Sequence, residues 1–150
     1  MVRPALLIFV LAAWASASGA GPNPTFAEAA ISSGRVAARL SDGRAPSFPD
    51  LGCAIGRQAG VDQLHRAPDR RHLGWAVNCD TGDETYPVPE EVVVYRAGRE
   101  QAYRFSNGLA VVRWRFVSNR RIEICTDTVH GSRAPGCATY DVERPPRRDS

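Results

Sequence analysis

The residues best equipped for chemistry stand in two polar stretches. In Thr126-Asp127-Thr128-Val129-His130-Gly131 an imidazole follows closely on a carboxylate, a pair that can move protons near neutral pH. In Asp80-Thr81-Gly82-Asp83-Glu84, Asp83 is a second carboxylate that a small hydrolase built on His130 could recruit. The plainer reading carries more weight: His130 hydrogen-bonds the backbone of its own loop while Gly131 supplies a positive φ, and neither residue is assigned a catalytic role. Asp80, Asp83 and Glu84 offer the oxygens that hard cations prefer but lack the alternating carboxylates of a calcium loop. His65 and His72 have no third ligand at zinc spacing. No metal and no cofactor is therefore expected. The chain also contains no Gly-x-Ser-x-Gly, phosphate loop, dinucleotide fingerprint or His-Glu-x-x-His.

Aromatic residues offer a different chemistry, recognition by stacking. Trp75, Trp114, Phe116 and Tyr95 fall at alternating positions typical of a core, whereas Tyr86 lies in Tyr86-Pro87-Val88-Pro89, where two prolines keep the chain extended and out of a sheet interior. Tyr86, Asp127 and His130 are accordingly the candidate ligand-contacting residues.

These loops must be held by strands, and the pattern predicts strands throughout. Val112, Trp114 and Phe116 alternate with Arg113 and Arg115, placing an apolar face against a charged one. Leu73, Trp75 and Val77 share a face opposite Gly74 and Ala76. Val92-Val93-Val94-Tyr95 is a continuous run, as expected of a central strand covered on both faces. Gln101 to Phe105 reads as an edge strand. Arg35 to Phe48 reads as a hairpin turning on Ser41-Asp42-Gly43, in preference to a short helix opened by a Thr25–Glu28 capping box. Between Leu51 and His65 the pattern is weak.

Compartment follows from the ends and the cysteines. Met1 to Ala20 has a basic start, an apolar run from Ala5 to Trp14 and a small-residue cleavage region, the form of a secretory signal peptide. Residues 21–34 are expected to be a flexible segment, 35–143 a single β domain and 144–150 a flexible basic tail. The expected location is secreted or periplasmic, with no membrane insertion after signal cleavage. All 19 basic residues are Arg, and a net charge of +3 spread along the chain gives no basic stripe for nucleic acid. Four cysteines in an exported chain point to two disulfides. If Ile122 and Ile124 face the core with Ala138, Tyr140 and Val142, then Ile124 opposes Ala138, Ile122 opposes Tyr140, and Cys125 falls directly opposite Cys137. That bond closes a loop worth roughly 2–3 kcal/mol on a chain-entropy view, and Cys53 to Cys79 follows by elimination.

The chain also repeats itself. Pro68-Asp69-Arg70-Arg71-His72-Leu73-Gly74-Trp75 aligns with Ser118-Asn119-Arg120-Arg121-Ile122-Glu123-Ile124-Cys125, and Val92 to Arg96 aligns with Cys137 to Asp141. Each copy reads turn, strand, long loop, strand, which puts the loops at 78–90 and 127–136 at one end. The units resemble the blade repeats of bacterial β-propellers. With Gly74-Trp75, Tyr86 to Pro89, Trp114-Arg115-Phe116, His130-Gly131 and Tyr140-Asp141-Val142, the chain also resembles a family of small secreted bacterial proteins of unknown function. The blade-type turn glycine is missing after Pro68-Asp69 and Ser118-Asn119, and two units do not close a ring. The resemblance implies a sheet topology and no activity.

The expected fold is all-β: two related antiparallel β-meander units forming a small, disulfide-bonded sandwich or open twisted sheet. The expected function is that of an exported non-catalytic binding or structural module with a protein or glycan partner in the cell envelope. The alternatives are a hydrolase using His130 with Asp127 or Asp83, and an inhibitor of an exported enzyme that inserts Tyr86 to Pro89.

Overall fold

The computed structural model describes residues 23–55, 64–79, 88–99, 101–127 and 136–144. The expected signal peptide, Tyr86, His130 and nearly all of the basic tail lie outside them. The described residues form strands and no helix: β1 (Phe26–Ser32), β2 (Arg35–Leu40), β3 (Ala54–Ile55), β4 (Leu64–Arg66), β5 (His72–Asn78), β6 (Glu91–Arg96), β7 (Ala102–Phe105), β8 (Ala110–Phe116), β9 (Arg121–Asp127) and β10 (Gly136–Asp141). All pairings are antiparallel.

The β5–β6 pair is the middle of the molecule. Every residue of β5 is buried, as are Val92 to Tyr95 of β6, so the unbroken apolar run does mark a strand covered on both faces. On one edge β5 takes β3 and then β4; beyond β6 lies β7. Alternation then sorts the side chains. Ala76, Val92, Val94, Tyr103 and Phe105 face the second sheet, β8-β9-β10, and meet Trp114, Ile122 and Ile124 there. Leu73, Trp75, Val77, Val93 and Tyr95 face the opposite way, toward Phe26 and Leu40 of the β1–β2 hairpin.

In each meander a row of paired residues crosses three strands, Leu64, Trp75 and Val93 across β4, β5 and β6, and Trp114, Ile124 and Ala138 across β8, β9 and β10. When Trp75 is aligned with Cys125 and Val92 with Cys137, the two registers differ by one residue, because Trp75 pairs with Val93 whereas Cys125 pairs with Cys137. The turns that open the two central strands touch each other, with Asp69 N donating to Asn119 Oδ1 at 3.0 Å. Arg70 takes φ 57° in the first of these turns, a left-handed conformation usually left to glycine. The predicted pairing of β9 with β10 is present residue for residue, Ile124↔Ala138 and Ile122↔Tyr140 included. It places Cys125 opposite Cys137 with Cα atoms 4.0 Å apart, and both predicted disulfides, Cys125–Cys137 and Cys53–Cys79, are formed.

Three expectations are corrected. Arg35–Leu40 pairs with Phe26–Ser32 and not with the residues from Arg44 onward, so Phe26–Ser32 is a strand instead of a flexible or helical segment. The physical reason is the Ser33-Gly34 turn, whose two positive φ values, 50° and 72°, match the twist of a two-residue hairpin. Ser41-Asp42-Gly43 does form a turn, with Leu40 N donating to Arg44 O at 2.8 Å, but Pro46 and Pro49 prevent a ladder beyond it. In β8 the register shifts between Val111 and Arg113, and this bulge turns Val111 inward in place of Val112, beside Trp114 and Phe116. Ala138 is exposed because β10 is the outer strand of its sheet.

Trp114, 2% exposed, is the knob that joins the sheets. It sits over Gly74, where an added Cβ would lie 2.9 Å from the tryptophan ring tip and 2.9 Å from the Val93 carbonyl oxygen. Gly74→Ala should therefore cost about 1–3 kcal/mol, read as a lower urea midpoint with an unchanged slope. Part of the loss should return in a Trp114→Phe background, and an unshifted midpoint would refute the close approach.

Candidate functional site

Of the three residues singled out from the sequence, the structure describes Asp127. It ends β9 opposite Ala110, at the end of the sandwich where the two long loops begin. The roots of those loops are tied together. Val111 N donates to Pro89 O at 2.6 Å, Ser106 Oγ to Glu90 O at 2.9 Å, and Asn107 Nδ2 to Thr126 Oγ1 at 3.0 Å. Asp80, Asp83 and Glu84 lie outside the described residues, as do Tyr86 and His130.

The two histidines among the described residues are His65 and His72. His65 is half-buried with its ring edge-on to Trp114 at 4.6 Å. His72, 2% exposed, stands at the opposite end of the sheet from the loops. A polar cluster surrounds it. Glu143 takes a hydrogen bond from Arg96 Nη1 at 2.6 Å and pairs with Arg120 Nη2 at 3.1 Å, while its Oε1 is 3.7 Å from His72 Nε2. Asp141 Oδ1 accepts the Glu143 backbone N–H at 2.9 Å. Burial lowers the His72 pKa below its ordinary value; Asp69, Glu143 and the Asn119 backbone oppose the shift, and Arg96 adds to it. The ring is therefore neutral at neutral pH and too enclosed to reach a substrate. Among the described residues no group of three His, Cys, Asp or Glu side chains is placed to hold a metal ion.

The feature that sequence reasoning missed is a cleft of about 500 Å³ between the β1–β2 hairpin and the central sheet. Its walls include Val36 of β2, Ile55 of β3, Trp75 and Val77 of β5, and Phe48 and Leu51 of the segment between β2 and β3. Behind it the aromatic rings form a continuous block. Phe48 meets Trp75 edge-on at 5.2 Å and Tyr95 at 4.9 Å, and Trp75 stacks on Tyr95 at 5.0 Å. Tyr95, 1% exposed, finds no hydrogen-bond partner for its hydroxyl among the described residues, and burial raises its pKa to about 12 against the opposing pull of Arg104. Arg35 and Asp50 supply the charge at the cleft. Asp50 is committed to the backbone N–H of Gly52 at 2.9 Å, whereas Arg35 forms no ion pair among the described residues. Nothing in the periodicity foretold this cleft, because it depends on which strand β2 pairs with. The sign available in the sequence was Phe48 and Leu51, two apolar residues beside prolines in a stretch without strand pattern.

Compared with protein families, curated proteins and solved structures, the chain has no match. The two disulfides point to an oxidising environment outside the cytoplasm. What the site does must come from its geometry.

The sign of the His72 effect is fixed by its neutral folded form. The unfolded chain, with His near 6.5, binds the proton more readily than the folded one, so stability falls as pH drops below that value and levels off once the lowered folded value is passed. Urea unfolding between pH 7.5 and about 5 should show this loss, and His72→Gln should flatten it. A profile that keeps its slope in the variant would assign the titration elsewhere.

Proposed function

We propose that this chain is an exported binding module and that the cleft between the β1–β2 hairpin and the central sheet is its ligand site. The carrying observation is a cleft with Phe48, Leu51 and Trp75 in its walls and, beside them, Arg35, a cation that forms no ion pair among the described residues. A volume of about 500 Å³ falls within the roughly 300–1,000 Å³ of small-ligand sites. Trp75, Phe48 and Leu51 suit an apolar body, and Arg35 suits an anionic end, so the ligand class is an amphipathic molecule bearing a carboxylate, sulfonate or phosphate. The signal-peptide pattern of Met1 to Ala20 supports export, in keeping with the disulfides.

A second reading keeps the protein or glycan partner expected from the sequence and seats it on the end where the loops begin. The hydrogen bonds between Pro89 and Val111 and between Asn107 and Thr126 favour it, since they hold the roots of both loops side by side.

Anilinonaphthalene sulfonate, an apolar ring system with one anionic group, is a direct probe of the cleft. Fluorescence titration should show saturable binding to the folded protein, weakened roughly fivefold by Arg35→Glu and abolished when Leu51→Trp fills the cleft. Binding that both variants leave unchanged would rule the cleft out as the site.

A further inference from the structure

Each disulfide has an arginine against it. Arg104 Nη2 lies 3.1 Å from Cys79 Sγ and 3.8 Å from Cys53 Sγ. Arg113 Nη2 lies 3.4 Å from Cys125 Sγ and 3.9 Å from Cys137 Sγ. A disulfide sulfur is a weak acceptor and gains little from a guanidinium. A thiolate gains much, because its full negative charge is met by a fixed positive one. The thiolate is the form in which the departing sulfur leaves during thiol–disulfide exchange, so a cation beside one sulfur selects it as the leaving group.

The two sites differ in ways that matter to this chemistry. Arg104 donates through Nε to Glu91 Oε2 at 2.7 Å, and that carboxylate, 13% exposed, already balances its charge. Arg113 forms no ion pair among the described residues, while its neighbour Arg115 is bound to Glu123 at 3.0 Å. Exposure differs too. Cys53 and Cys79 are both half-buried, whereas Cys125 is 2% exposed and its partner Cys137 is exposed on the outer strand β10. Arg113 and Cys125 are cross-strand partners in β8 and β9, so the sheet itself holds the guanidinium on that sulfur.

We propose that Cys125–Cys137 is a thiol–disulfide exchange site for a dithiol reductant, attacked at Cys137 Sγ, with Cys125 leaving as a thiolate held by Arg113. In the first step one thiolate of the reductant forms a bond to Cys137 Sγ, the Cys125–Cys137 bond breaks, and its electron pair stays on Cys125. In the second step the other thiol of the reductant closes on its own sulfur in the mixed disulfide and releases Cys137 as a thiolate. The reductant is oxidised by two electrons, the protein disulfide is reduced by two, and the two protons of the dithiol pass to the cysteines or to solvent. Cys53–Cys79 stays intact, so the core on the other face of β5 keeps its crosslink while the loop between Cys125 and Cys137 is released.

The oxidised protein can be tested without denaturant. Glutathione, a monothiol, should leave an adduct on Cys137 and a free thiol on Cys125, read by acid quench, alkylation and peptide mapping. Dithiothreitol should reduce both cysteines while Cys53–Cys79 remains. Arg113→Gln should slow the reduction by roughly three- to tenfold, and Arg113→Lys should recover most of the rate. The adduct position is read in the unaltered protein and does not depend on a variant folding. A glutathione adduct on Cys125, equal reduction of both disulfides, or an unchanged rate in Arg113→Gln would each overturn the assignment.

Discussion

Val92, Val93, Val94 and Tyr95 leave water together, and a strand that is apolar on both faces needs a layer on each side. The C-terminal meander supplies one layer and the N-terminal hairpin the other. On the first side the contact turns on Trp114 lying over Gly74, where the missing side chain lets two sheets approach as ring against backbone. On the second side Phe26 and Leu40 close over Trp75 and Tyr95. The cleft arises there because a two-stranded hairpin is too small to cover the whole face of the central sheet, and Phe48 and Leu51 cover only part of what is left.

Most of the C-terminal half was legible from its residues. Strict alternation at Ile122 and Ile124 determined a register, and a register of period two leaves only one partner for Cys125. The burial of Trp75 and Trp114 followed from the same alternation. The N-terminal half was less legible, since β2 had a turn-forming sequence on both sides and local chemistry could not choose between them. Ser33-Gly34 closes the tighter hairpin, and the prolines after Gly43 deny the other a partner. The inward turn of Val111 was hidden for a related reason: a bulge breaks the period that the eye follows. The cleft inherits that difficulty, being a product of pairing and not of any motif.

Polar chemistry is distributed around this frame with a consistent logic. Where charges approach the core they come in sets, as Arg96, Arg120 and Glu143 do beside the neutral His72. Arg35 at the cleft and Arg113 at the exposed disulfide belong to the arginines without an ion pair among the described residues, and in the proposals made above each would meet an anion, a ligand's in one case and a thiolate's in the other. The cleft lies between the hairpin and one face of the central sheet, and Cys125–Cys137 belongs to the sheet that covers the other face.

Native-state hydrogen exchange on the oxidised protein tests the two-sided central strand most directly. The amides of Val92 to Tyr95 and Leu73 to Val77 should exchange only through global unfolding, with protection that follows the full unfolding free energy, while those of β1, β2 and β10 should open locally and sooner. Fast exchange at Val92 to Tyr95, matching the outer strand β10, would contradict the arrangement at its centre.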